Sequence, residues 1–160
     1  MPHITALLHT ANDGLRLGRA LETLRACEEI IVVDHDSSDA TLRIAREYGA
    51  QILSRTNGQD PHSYLYAARY NWILCLEPVE SITEGLEATL YEWRSATDVD
   101  SNAGAFAVSI REETSDGWLN HPSPHTRLVP KNWSRWNGRL PADDPSAIAL
   151  EGTILRFIFP

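Results

Sequence analysis

The sequence predicts an α/β fold in which a mainly parallel sheet is flanked by helices and followed by a β-rich C-terminal part. In the first half, short apolar runs alternate with stretches of helical periodicity, the pattern of βα units that build parallel sheets. The second half carries only short β-like runs separated by Pro, Asn, Asp and Gly. The length of 160 residues favours one domain, with residues 1–97 and 98–160 as its two halves.

The elements of the first half are predicted from periodicity and from turn signals. Ile30-Ile31-Val32-Val33 is β-branched throughout, as expected for a strand covered on both faces. Gly49 follows a helical stretch at the position that favours a left-handed C-cap. Ser81 and Glu84 have the spacing of a capping box. We predict strands at 4–8, 30–33, 51–53 and 72–76, and helices at 17–24, 39–48, 63–70 and 81–94.

The second half begins with a polar loop, Asp98–Asn102, and contains no helix signal. Its apolar runs are short and separated by turn residues. We predict strands at 105–110, 127–129, 148–150 and 153–159.

Composition and charge exclude several classes of protein. The net charge of −8 works against binding to nucleic acid or to an anionic bilayer. No apolar run is long enough to cross a membrane, so no integral membrane segment is expected. Cys27 and Cys75 are too few for a disulfide framework and indicate a reducing compartment, which makes the cytoplasm the expected location.

Polar clusters follow three of the predicted strands. In a parallel sheet such clusters share one edge, where ligands bind. Asp34 directly follows four β-branched residues and is placed to accept hydrogen bonds from a ligand, whereas Ser37 and Ser38 equally suit helix capping. The clusters are Thr10-Ala11-Asn12-Asp13, Asp34-His35-Asp36-Ser37-Ser38-Asp39 and Glu77-Pro78-Val79-Glu80.

Carboxylates and arginines elsewhere suggest a metal and a phosphate. Glu77 and Glu80 suit a hard divalent cation such as Mg²⁺ or Mn²⁺, with a solvated acidic turn as the alternative. Arg127 and Arg139 suit a phosphate, although arginines also cover exposed tryptophans. His121 and His125 are separated by two prolines and cannot form a helical zinc pair.

The order of these segments resembles the family 2 glycosyltransferases, most closely the branch that builds the lipopolysaccharide core. That family has a T-x-N-E-like turn, a V-V-D-x-G-S-x-D-x-T segment and a W-x-L-x-L-D-A-D-E segment, followed by R-L-F-R-R and R-W-x-G. The matching segments here lie, in order, within residues 3–139. They are residues 4–13, 31–41, 72–80, 126–129 and 135–139.

The resemblance implies the GT-A fold and a hexosyltransferase-like activity. A sugar would pass, with inversion, from a nucleoside-diphosphate donor to a hydroxyl of a glycolipid or polysaccharide precursor, assisted by a divalent metal. Residues 1–97 would bind the nucleotide, and residues 98–160 would face the acceptor. By position, the nucleotide-binding residues are Thr10, Asn12, Asp13, Asp34 and Asp36.

The chain departs from the family pattern at several positions. Val79 stands where the second Asp of the family's D-A-D-E segment ligates the metal, so the DxD motif is degenerate. Pro61 replaces a basic residue, Leu140-Pro141-Ala142 replaces V-H-E, and the chain ends at Pro160 without further helices. The catalytic base is unassigned, and the carboxylates able to serve are Asp143, Asp144, Asp116, Glu112 and Glu113.

These departures leave an alternative to catalysis open. The chain would then be an impaired nucleotide-sugar-binding or scaffolding module. The apolar run 154–160, read as an edge strand, would meet a protein partner or a second copy. A nucleotidyltransferase, the third alternative, lacks a glycine-rich, lysine-bearing loop. For the glycosyltransferase, peripheral attachment at the inner face of a membrane is the alternative to a free cytoplasmic location.

Overall fold

A mixed sheet of nine strands organises the chain. The computed structural model describes residues 2–55, 61–96 and 104–159. The strands are β1 (Ile4–Thr10), β2 (Glu29–Asp34), β3 (Gln51–Ser54), β4 (Trp72–Cys75), β5 (Glu80–Ile82), β6 (Phe106–Thr114), β7 (Gly117–Asn120), β8 (His125–Pro130), β9 (Trp136–Asn137), β10 (Leu140–Pro141) and β11 (Ile148–Arg156). The helices are α1 (Leu17–Glu22), α2 (Thr41–Glu47), a 3₁₀ helix (Pro61–Ala67) and α3 (Glu84–Ser95).

The main sheet has the strand order β3-β2-β1-β4-β8-β6-β11-β5, and β7 pairs with β6. The pairs among β3, β2, β1 and β4 are parallel, and so is the pair β6–β11, whereas β8, β5 and β7 run antiparallel to their neighbours. The predicted α/β class with a mainly parallel sheet is therefore confirmed. Only residues 76–79 join β4 to β5, although three strands lie between them in the sheet, so the sheet curls until these ends approach.

Apolar side chains cover both faces of the sheet. One cluster joins Ile4, Ala6 and Leu8 of β1 to the apolar faces of α1, α2 and α3. The other joins Leu7 to the 3₁₀ helix and to tryptophans near β9. Since successive side chains of a strand point to opposite faces, this double cover explains why β1 is buried at every position and β2 at its last four.

The helix starts differ from the sequence prediction at one point. Ser81 lies in β5, and the N-cap of α3 is Thr83, whose Oγ1 accepts a hydrogen bond from the Leu86 amide at 3.3 Å. The capping-box prediction was therefore wrong, because β5 extends through Ile82 before the helix begins. Gly49 has φ +74° after α2, as predicted for a C-cap.

The segment predicted as a helix over 63–70 forms the 3₁₀ helix instead. Its buried residues Tyr64, Leu65 and Ala68 face the second apolar cluster. Three residues per turn place Leu65 and Ala68 on one side, so this short segment covers the sheet without an α-helical turn.

The two apolar runs predicted at 148–150 and 153–159 form one strand, β11. Its register to β6 shifts between Ala149 and Thr153, and Gly152 has φ +105° there, which indicates a bulge. The prediction of an edge strand was wrong, because β11 lies between β6 and β5 and Ile154 is fully buried. Strand β5, which sequence periodicity missed, covers its outer side.

The structure tests the remaining predictions in part. Within 104–159 the chain contains no helix, as predicted, whereas the expected loop Asp98–Asn102 lies outside the described residues. Both cysteines are free thiols; Cys75 is buried and Cys27 is half-buried. Among the described residues, no helix has the length and apolar character required to traverse a bilayer.

Candidate active site

The carboxyl ends of β1, β2 and β4 meet at one edge of the sheet, which we call the rim. Thr10 pairs in register with Asp34, and the Leu76 amide donates to the Leu7 carbonyl at 3.1 Å. All three predicted polar clusters therefore follow strands that end at the rim, as expected for a parallel arrangement.

Much of the first two clusters is occupied in holding the two loops together. The Asn12 amide donates to Ser37 Oγ at 2.9 Å, and the Ser38 amide donates to Asn12 Oδ1 at 2.8 Å. Thr10 Oγ1 donates to Asp13 Oδ2 at 2.7 Å. Capping by Ser37 and Ser38 was therefore wrong, because the N-cap of α2 is Ala40 without a side-chain cap bond. Both serines instead bond to Asn12, and these contacts keep Thr10, Asn12 and Asp13 at the rim.

Two loop residues adopt left-handed backbone conformations. Asn12 has φ +53° and Asp36 has φ +58°. Asn and Asp tolerate this region better than other residues with a Cβ, because their short polar side chains bond locally. The exposed Asp36 therefore suits the left-handed conformation that this turn requires.

Asp34 differs from its neighbours because one of its oxygens has no partner. Its side chain is 8% exposed, and Oδ2 accepts a hydrogen bond from the Ser37 amide at 3.2 Å. Oδ1 is buried and accepts no hydrogen bond from any described residue. Since a buried oxygen without a donor is costly, this carboxylate is suited to accept a hydrogen bond from a ligand.

A short histidine–arginine chain lies beside Asp34. His9 Nδ1 is 3.0 Å from His35 Nε2, and Arg139 Nη2 is 3.4 Å from His35 Nδ1. Burial lowers the pKa of His35, and the charges of Arg139 and Arg55 lower it further. A neutral His35 accepts from Arg139 at Nδ1 and donates from Nε2 to His9.

The turn between β9 and β10 carries Arg139 to this position. Gly138 has φ +65° at the first position of the two-residue loop Gly138-Arg139, where hairpin turns favour glycine. The predicted phosphate ligand Arg139 is exposed and lines a cavity of about 160 Å³ together with His9, Glu77 and Val79.

The third cluster contains a network of ion pairs. The Glu80 amide donates to the Glu77 carbonyl at 2.9 Å, which closes a turn with Pro78 at its second position. Glu80 is fully buried. Its Oε1 accepts a hydrogen bond from Arg127 Nη1 at 2.6 Å, and its Oε2 accepts one from Nη2 at 2.9 Å. Arg156 is bonded to Glu77 and lies 3.2 Å from Glu80 Oε2 and 3.0 Å from Glu112 Oε1.

Strand pairing explains why these charges meet. Arg156 on β11 is in register with Glu80 on β5 and with Glu112 on β6, so the three form one cross-strand row. Burial acts to raise the pKa of the Glu80 carboxyl, but the hydrogen bonds and charge of Arg127 outweigh burial and hold the pKa below its ordinary value. Glu80 is therefore ionised at neutral pH.

The residues at this position do not fit a divalent cation. Val79 has no donor atom, both oxygens of Glu80 face arginines, and Glu77 is paired with Arg156. In the part of the chain that the structure describes, no three His, Cys, Asp or Glu side chains are grouped to hold a metal. This geometry argues against the predicted metal role of Glu80.

Arg127 also differs from its expected role. Its side chain is buried, and besides Glu80 it donates to the Cys75 carbonyl at 3.2 Å. A buried guanidinium whose two terminal nitrogens are held by Glu80 is not placed for a phosphate. The sequence suggested a surface position, but Arg127 is buried because β8 lies in the middle of the sheet.

Of the five predicted base candidates, the three aspartates lie in different surroundings. Asp143 lines a cavity of about 420 Å³, and its Oδ2 is 3.0 Å from His125 Nδ1. Asp144 pairs with Arg135 and accepts bonds from Ser146, which lower its pKa, so it stabilises its own loop. Asp116 is exposed in the β6–β7 turn.

Two histidines extend the contact of Asp143 into a chain. His125 Nε2 is 2.9 Å from His121 Nδ1, and His121 Nε2 is 3.6 Å from Glu112 Oε1. The Asp143–His125–His121–Glu112 chain lines the larger cavity together with Glu77 and Arg156. Two prolines exclude a helical spacing for this pair, and it is the pairing with β6 that brings both histidines together.

The two cavities are adjacent, since both are lined by Glu77, Leu140 and Arg156. Sequence reasoning missed Arg156, His9 and His35. The signal for Arg156 was its position as the single charged residue in the run 154–159. A separate groove of about 740 Å³ beside Tyr66 and Trp133 lies near the amino end of β4 and contains none of the predicted site residues.

Comparison with known proteins gives relatives over part of the chain. No protein-family model matches it. An uncharacterized glycosyltransferase of Rickettsia prowazekii is 28% identical over 92 residues, which cover 54% of this chain and 31% of that protein. A TPR repeat-containing protein of Synechococcus elongatus is 34% identical over 134 residues, covering 80% and 31%. The chain thus spans about a third of the length of these curated relatives.

Solved structures share the fold. Glucosyl-3-phosphoglycerate synthase from Mycobacterium tuberculosis, in complex with Mn²⁺, UDP and glucosyl-3-phosphoglycerate, has a TM-score of 0.50 at 14% identity and covers 72% of this chain and 46% of its own. Its complex with Mg²⁺ and UDP has a TM-score of 0.50 at 15% identity, covering 69% and 44%. The GT-A-like α/β fold expected from the sequence is confirmed by this likeness.

Proposed function

We propose that this chain is a glycosyltransferase domain that transfers a sugar from a nucleoside-diphosphate donor to a hydroxyl acceptor. The observation that carries the proposal is Oδ1 of Asp34, which is buried at the rim of a GT-A-like sheet and has no hydrogen-bond partner among the described residues. Relatives named as glycosyltransferases and structural neighbours in complex with UDP support the same function.

Oδ1 of Asp34 would accept a hydrogen bond from an N–H of the nucleotide base. The hydrogen-bonded loops of Thr10, Asn12 and Asp13 would enclose the base and ribose, with Asp36 at the outer side of the same loops. Arg139, held near His35, would face the diphosphate. The chemistry requires stabilisation of the charge on the leaving diphosphate, which arginines supply in a site without metal.

The acceptor side would be formed by the larger cavity. Asp143 and His125 form a hydrogen-bonded acid–base pair there, and such a pair can take a proton from an attacking hydroxyl. Because both ring nitrogens of His125 are engaged, by Asp143 and by His121, we propose the more exposed Asp143 as the base of an inverting displacement. By resemblance, the acceptor is a glycolipid or a polysaccharide precursor, as in lipopolysaccharide core assembly.

A second candidate function is a nucleotide-sugar-binding module without turnover. The closed ion-pair network of Glu77, Glu80 and Arg156 favours it, because it occupies the position where the family places a metal. The two candidates share the nucleotide site and differ in the release of sugar from a donor.

Asp34→Asn tests the shared nucleotide site. We expect the wild-type chain to bind UDP or GDP with micromolar affinity in calorimetry. The variant should bind about 10- to 100-fold more weakly, because a hydrogen bond to a charged group contributes about 1.5–3 kcal/mol. Asp116→Asn, which alters an exposed carboxylate of a distant hairpin, is the matched control and should bind like the wild type.

Absence of binding to both nucleotides, or equal affinity of the Asp34→Asn variant, would contradict the proposal. Hydrolysis or transfer of sugar from UDP- and GDP-sugars then separates the two candidates. Release of sugar by the wild type supports the transferase, whereas binding without release supports the module.

A further inference from the structure

We propose that Arg156 takes the place of a divalent cation in this site, so that the chain binds the diphosphate of its donor without metal. The part concerning the diphosphate rests on the proposed function. The part concerning the cation rests only on the ion pairs of the described residues.

The guanidinium of Arg156 contacts three carboxylates, as a bound metal ion would. Nη1 contacts both Glu77 and Glu80, and Nε contacts Glu112 at 3.0 Å. These carboxylates come from the turn after β4, from β5 and from β6. The cross-strand register fixes two of them, so the arrangement is built into the sheet and does not depend on one flexible surface pair.

A divalent ion would find few ligands here. Glu80 has Arg127 on both oxygens, so only Glu77 and Glu112 remain, and each is held by Arg156. An entering ion would have to displace a guanidinium that is tethered to the chain and always protonated. The replacement of the family's metal ligand by Val79 is thus matched by a cation supplied from β11.

The same arginine is placed to meet a phosphate. Its Nη2 takes part in none of these contacts, and the half-buried side chain lines both cavities. Arg139 lines the smaller cavity as well. The smaller cavity is lined by these two arginines and by one carboxylate, that of Glu77, so a diphosphate there would not enter a site of net negative charge. Arginine forks suit phosphate oxygens.

Titration of the nucleotide-free protein with Mn²⁺, followed by electron paramagnetic resonance of the free ion, tests the cation part. We expect no binding by the wild type up to millimolar Mn²⁺. Arg156→Gln should bind Mn²⁺, because Glu77 and Glu112 lose their shared cation. Arg156→Lys should again exclude it. Arg43→Gln, which breaks the exposed pair with Glu47 on α2, is the control and should also show no binding.

Calorimetry with UDP and GDP in EDTA and in 1 mM Mn²⁺ tests the diphosphate part. The wild-type Kd should agree within about twofold between the two conditions. In EDTA, Arg156→Gln should weaken binding about tenfold or more, and Arg156→Lys should do so less, since a single ammonium replaces the fork. Circular dichroism establishes that each variant is folded.

Binding of Mn²⁺ by the wild type, or failure of Arg156→Gln to bind it, would overturn the cation part. Tighter nucleotide binding in Mn²⁺ by tenfold or more would overturn the diphosphate part. If neither nucleotide binds in either condition, the proposed function fails and the diphosphate part fails with it. The Mn²⁺ titration still decides the role of Arg156, so the two failures are distinguishable.

Discussion

Replacing Gly152 by alanine is expected to destabilise the fold by at least about 2 kcal/mol. Gly152 has φ +105°, and strain of a residue with a Cβ in such a region costs about 1–3 kcal/mol. A Cβ built there would also lie 2.5 Å from Leu86 Cα and 2.6 Å from the Leu86 amide nitrogen, both backbone atoms of α3. Because the helix backbone cannot move aside cheaply, overpacking adds about 1–3 kcal/mol.

Gly117→Ala separates these two contributions. Gly117 has φ +128°, and a Cβ there would meet nothing within 4 Å, so only backbone strain applies. Urea denaturation of both variants gives the two free energies of unfolding. A loss for Gly152→Ala no larger than that for Gly117→Ala would show that the close approach of β11 to α3 is wrong.

Breaking the buried pair of Glu80 and Arg127 is expected to cost about 3–5 kcal/mol, because an unpaired charge is left inside the protein. Glu80 is 0% exposed and Arg127 is 4% exposed, so water cannot replace the lost partner. Glu80→Leu and Arg127→Met should each lower the free energy of unfolding by this amount. The double variant should recover much of it, since well-packed apolar residues replace a buried pair at little cost.

The surface pair of Arg43 and Glu47 on α2 is the control for this cycle. At 3.1 Å and largely exposed, it should change stability by no more than about 0.5 kcal/mol when Arg43 is replaced by alanine. A small effect of Glu80→Leu, or a double variant as unstable as the single ones, would contradict the buried pairing.

The same pair predicts a pH dependence. Although burial opposes it, the charge of Arg127 holds the pKa of Glu80 below its ordinary value in the folded state. As the pH falls, Glu80 therefore binds a proton in the unfolded chain before it does so in the folded protein. The stabilisation present at neutral pH is lost as the pH falls below about 4.3, the ordinary pKa of Glu. The urea midpoint should fall more steeply in acid for the wild type than for the double variant.

Local sequence determined the first half of the fold to a large extent. The β-branched run before Asp34 could only form a strand covered on both faces, and Gly49 ended α2 as its position predicted. Parallel βα units place the ends of β1, β2 and β4 at one edge, so the position of Asp34 at the rim followed from the chain order alone.

Tertiary structure alone decided the charged centre of the site. Arg156 lies 79 positions from Glu77 in the sequence, and the pair forms only because β11 inserts between β5 and β6. Strand order likewise places the contacting side chains of Glu80 and Arg127 in the interior, and it brings His121 into contact with His125 beside β6. The physical reason is that periodicity reports which face of a strand is buried, whereas strand order and register, which bring distant charges together, are set by the packing of the whole sheet.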